Sequence, residues 1–225
     1  MITPGKRSVI SELEFELIEG ESADLILLGL MVAEYIPLRL GQQSKALTGY
    51  LLSGRVPYQF NTTWPTELDN LINLAHICPE TLKPVLKPLL QAGLKHWLQL
   101  ESYLEYMTNL SDSKSHPQGD QHNKQLTDTS TRADLNPSTF EQLLHCIMVI
   151  NQSMLQHKVI SESLNQDILS LIELINSLSI DLKTRQNGTL ELAEQTYPPL
   201  ACIENLWQHK GYGKLQLALM QYLIG

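Results

Sequence analysis

The 225-residue chain lacks most of the signatures from which a chemistry can be read. It has no phosphate-cradling GxxxxGK[ST], no GxGxxG, no GxSxG elbow, no HExxH and no CxxC. Each of these encodes a geometry that is hard to supply otherwise, so no catalytic residue, cofactor site or metal site is assigned and no cofactor is expected. Cysteine is scarce: Cys78, Cys146 and Cys202 stand far apart and are odd in number. That excludes a disulfide framework and points to a reducing, cytoplasmic setting. His76-x-Cys78 is too closely spaced for a standard zinc knuckle. Cys146, mid-helix beside Leu143 and Ile147, is expected to be buried rather than nucleophilic.

Runs of one kind are missing too. The longest apolar run, Leu25 to Ala33, is nine residues, far short of the roughly 20 that span a bilayer. Lys and Arg are spread thinly, and the net charge is −8. The acidic excess falls both before residue 109 and after residue 136. Anionic membranes and nucleic acid are therefore disfavoured as bulk partners.

What is present is helical spacing on both sides of a polar stretch. Residues 109–136 contain only four aliphatic side chains, Leu110, Leu126, Ala133 and Leu135. So little apolar surface cannot repay the entropy of ordering, so the stretch is expected to be a disordered tether. The fold expected is all-α, in two bundle-like parts at 1–108 and 137–225. A minor alternative places a small β element at 12–17, 189–193 and 214–219, where apolar and other residues alternate.

In the first part, Glu-rich 8–19 leans to helix over strand. Ser22 can cap a helix reaching Ile36. That helix is apolar on nearly every side, which predicts a place in the centre of a bundle. A short helix is expected over 43–53 and another after Pro65. Pro79, Pro84 and Pro88 predict short turns, and the longest helix of this half follows over 89–107. In the second part, Asn136-Pro137 with Ser138 and Glu141 is the clearest helix start. Leu164, Ile168, Leu171, Ile175, Leu178 and Leu182 step by four and three, an a/d seam closed by Asn187-Gly188.

Two surfaces are candidates for binding. Beside the seam, Leu169, Ile172, Leu174 and Ile180 add apolar surface available to a partner once the seam packs inside the domain. Lys210, Gly211, Tyr212, Gly213 and Lys214 join basic, aromatic and glycine residues, a weak candidate for contacting an anion, though glycine clusters first mark turns. The function expected is non-catalytic protein–protein interaction, as an adaptor or regulator, with another protein as partner and self-association left open. The alternatives are an all-α enzyme with a dispersed site and a nucleic-acid module using the KGYGK turn.

Overall fold

The computed structural model describes residues 11–42, 49, 60–77, 82–112, 137–160, 162–187 and 200–225. Among these the chain is all-helical, with seven helices and no strand. They are α1 (Ser22–Ala33), α2 (Thr66–Ile77), α3 (Leu82–Asp112), α4 (Pro137–Gln156), α5 (Glu162–Asn187), α6 (Leu200–Trp207) and α7 (Lys210–Ile224). No described helix is long and apolar enough to cross a membrane.

Residues 11–17 are neither helix nor strand, and all are exposed. The helical leaning of this Glu-rich stretch is corrected: its described residues bury no apolar face, and a short helix without such burial is marginal. The cap of α1 is Glu21, one residue before Ser22. Its backbone N–H donates to Asp24 Oδ2 at 3.2 Å, which satisfies one donor at the helix start. The helix stops at Ala33 rather than Ile36. The expected helix over 43–53 lies outside the described residues except Gly49, as do residues 189–193.

The expectation of short turns around Pro84 and Pro88 is also corrected. The helix α3 runs 31 residues and takes both prolines in its first turns. Pro84 is the third residue, where a backbone N–H has no intrahelical partner to lose. Pro88 removes one N–H bond to the turn before it, a cost that packing outweighs, for Leu86, Leu89 and Leu90 beside it are all buried. At its other end α3 continues to Asp112, four residues into the polar stretch.

Helix α4 begins at Pro137, as its start signal predicts, and α5 covers the expected seam. All six seam residues are buried in the main core. One cluster of buried side chains joins Leu90, Trp97 and Leu104 of α3 with Phe140 and Ile147 of α4, Ile175 of α5, Ile203 of α6 and Leu215 of α7. Helices from before residue 109 and after residue 136 therefore share this core.

The centre belongs to α7. It packs against α1, α3, α5 and α6, and every residue from Gly211 to Leu219 is buried. The strand-like alternation of Leu215, Leu217 and Leu219 arises because a helix covered on all sides has no polar face to reveal its period. The all-round apolar α1, expected at the centre, instead lies outside and packs on α7.

Candidate functional site

The first turn of α7 is where the KGYGK residues sit, so they open a helix rather than form the turn between two. His209 caps it: its Nδ1 accepts from the Gly211 N–H at 3.1 Å, and its Nε2 lies 3.2 Å from Ser170 Oγ. Burial lowers the imidazole pKa, against the pull of Asp167, and the neutral ring is the form that can accept at Nδ1.

Both glycines serve close packing. A β-carbon on Gly211 would lie 2.9 Å from the carbonyl carbon of Asp167 in α5. One on Gly213 would collide with the backbone of Leu38, in the segment that follows α1. Tyr212 is fully buried and its hydroxyl accepts from Trp97 Nε1 at 2.7 Å. Lys210 Nζ donates to the Glu34 carbonyl at 2.9 Å. Lys214 is 1% exposed and ion-paired to Asp167 and, at 2.7 Å, to Glu34. Of the five predicted anion-contact residues, the two lysines are thus engaged with the end of α1 and with α5, and the glycines are filled by backbone.

The segment after α1 is held by polar bonds to the same helices. Arg39 spans Glu101 and Glu105 of α3, both at 3.2 Å, and lies 4.1 Å from the centre of the Trp207 ring. Gln216 donates to Glu101 Oε2 at 2.9 Å and accepts from the Leu40 N–H at 2.8 Å. Burial pushes the Glu101 carboxyl up to about 7, against the opposing pull of Arg39. Gln216, Glu101 and Arg39 form one network joining α7, α3 and the segment after α1, and Lys214 with Asp167 and Glu34 forms a second.

Cys146 is buried, donates to the Gly93 carbonyl at 3.3 Å, and has its thiol pushed up to about 12 by burial. At neutral pH it carries essentially no thiolate. Among the described residues no three His, Cys, Asp or Glu side chains converge as metal ligands would. Trp64, Glu141, Gln142 and His145 line a shallow, open depression of about 370 Å³. The Trp64 ring packs edge-on to buried His96 and tilted against His145, at 5.3 and 5.0 Å between centres. These ring contacts leave polar atoms of the cluster unsatisfied, for both ring nitrogens of His96 and Gln142 Oε1 are buried without a hydrogen-bond partner among the described residues.

The four residues expected beside the α5 seam divide. Ile172 and Leu174 are partly buried against the core. Leu169 and Ile180 are 45% and 64% exposed but stand three turns apart, with Glu173, Asn176 and Ser177 between them on that face.

A contiguous apolar surface lies instead on α1. Gly29 and Ala33 face inward, with Gly29 against Leu217 of α7. Leu27, Leu28, Met31 and Tyr35 face outward, Met31 at 65% and Tyr35 at 83% exposed, and Ile36 is exposed beyond them. Their spacing puts the first four on one side of the helix axis, allowing for the turn that follows Ala33. The sequence signal for this surface is the missing polar face of α1, which also fits a central helix and so points the wrong way. Comparison of this chain with protein-family models, with curated proteins and with solved structures finds no match.

Proposed function

We propose that this chain is a non-catalytic helical interaction protein, an adaptor or regulator, and that the outer face of α1 is its docking surface. The observation that carries this reading is the row of large apolar side chains that α1 leaves in water while its other side is anchored to the core. Isolated exposed hydrophobic residues need no explanation, but a contiguous group on one helix marks an interaction site. The anchoring is extensive: Lys210 and Lys214 hold Glu34, and Arg39 and Leu40 hold the following segment to α3 and α7. A rigidly held apolar face loses little conformational entropy when a partner covers it.

The buried polar groups around α7 support binding over catalysis. Glu101, Tyr212 and Lys214 have protein partners and lie between helices, where a substrate could reach them only by displacing those partners.

Site-specific photo-crosslinking in cells tests the reading. A crosslinking residue at Met31 is expected to give a discrete protein adduct, and one at Gln152, exposed on α4, is expected to give none. The absence of an adduct from Met31, or the same adduct from both positions, would refute the assignment of the surface.

A further inference from the structure

We propose that the occupant of the α1 face is a second copy of this chain, with α1 packed antiparallel on α1 about a two-fold axis near Met31. This rests on the reading of that face as a docking surface and names what covers it.

The apolar stripe matches itself when reversed. Leu27, Met31 and Tyr35 follow at steps of four, so they share one side of α1 and stand about one turn apart. Met31 is midway. A two-fold axis there sets Met31 against its counterpart, and Leu27 and Leu28 of each copy against Tyr35 of the other. Such a contact uses the same patch twice, and one short helix supplies all of it.

The charges are complementary in the same arrangement. At the start of α1, Glu19, Glu21 and Asp24 are exposed, and Asp24 accepts the Glu21 N–H. At the far end Glu34 is already paired with Lys214. Lys210 is exposed beside it and rests on the Glu34 carbonyl. Among the described residues no carboxylate pairs with Lys210. Antiparallel packing brings the acidic end of each copy to the end of the other that carries this ammonium. It also opposes the helix dipoles. A parallel pair would set acidic end against acidic end.

The exposed area is enough for a dimer. Nine of the fourteen large hydrophobic side chains exposed among the described residues fall between Leu13 and Ile36, so this stretch concentrates the apolar surface left in water. The α1 face alone offers roughly 500 Å² per copy, and a pair would bury on the order of 1,000 Å², where specific interfaces begin.

Sedimentation equilibrium of the full chain over a wide concentration range tests this. A reversible monomer–dimer equilibrium is expected. Leu27→Gln/Met31→Gln changes two side chains on each copy and should weaken association roughly tenfold to a hundredfold, with unchanged helix content by circular dichroism. Asp24→Asn keeps an oxygen for the Glu21 N–H, and Lys210→Gln keeps a donor for the Glu34 carbonyl. Each should weaken association roughly twofold to tenfold. The double variant should lose no more than either alone, because the two groups pair with each other across the axis.

A chain that stays monomeric at every concentration would overturn the second copy. A crosslinked adduct from Met31 that contains a different protein would then leave the docking surface standing, and no adduct would remove the surface as well. A dimer left intact by Leu27→Gln/Met31→Gln would place the contact on another face. Additive losses from Asp24→Asn and Lys210→Gln would exclude the antiparallel pairing. Either result overturns the proposal.

Discussion

A β-carbon built on Gly213 would lie 2.7 Å from the carbonyl carbon of Leu38. The first turn of the central helix and the segment leaving α1 thus touch backbone to backbone. Gly213→Ala should gain about 1 kcal/mol of helix propensity and lose more, because a backbone clash in a packed interior typically costs about 1–3 kcal/mol and sometimes more. Net destabilisation in urea melts is the expected result. Gly41→Ala, which would meet nothing within 4 Å, should stay within about 0.5 kcal/mol of the parent. A neutral Gly213→Ala would refute the backbone contact.

Lys214 and its two carboxylates are buried unequally. The Lys214 side chain is 1% exposed, whereas those of Glu34 and Asp167 are 56% and 37% exposed. Neutralising both acids, as Glu34→Gln/Asp167→Asn, leaves the covered ammonium without its charged partners and should cost about 1–3 kcal/mol. Lys214→Met leaves two carboxylates that water can reach, and should cost clearly less. Chemical denaturation of the two variants checks the order, and the reverse order would show that Lys214 is not the buried partner.

Glu101 sets a pH dependence. Its carboxyl titrates near 7 in the folded chain against an ordinary value of 4.5, because burial penalises the charged form. A folded-state pKa above the unfolded one means that its contribution is fully present below about 4.5 and is lost as pH rises through about 7. Relative to Glu101→Gln, the parent should therefore lose stability between these two values. Thermal melts of both proteins across that range, compared as a difference, give the readout, and a constant difference would rule this titration out.

The polar stretch offers a test of domain organisation. Its composition makes Lys114, Lys124 and Arg132 the expected first sites of tryptic cleavage. Leu90, Trp97 and Leu104 share one core cluster with Phe140, Ile147 and Leu215, so the two fragments should elute together in gel filtration. Separate elution of two folded fragments would instead show two independent domains.

Local signals were legible where one residue type dominates its own backbone. Pro137 marks the start of α4, and the six-residue seam of α5 is buried along its whole length. Other signals misled where distant packing wins. Pro84 and Pro88 lie inside α3, the Glu-rich stretch before α1 is not helical, and the glycines of KGYGK open a helix. Leu169 and Ile180 do stay exposed, as their positions off the seam suggest, but the polar residues between them leave no continuous surface.

The sequence by itself determined the all-helical class, the start of α4 and the inward face of α5, because helical spacing and proline geometry act over a few residues. It could not rank α1 against α7. Both are rich in aliphatic residues without a clear polar face, and either pattern fits a central helix. Only the tertiary structure decided between them, since α7 carries Tyr212, Lys214 and Gln216 into the interior. Those polar groups can be buried only because Trp97, Glu101 and Asp167, 47 to 115 residues away in sequence, are placed to bond them. With the centre taken by α7, one face of α1 remains in water.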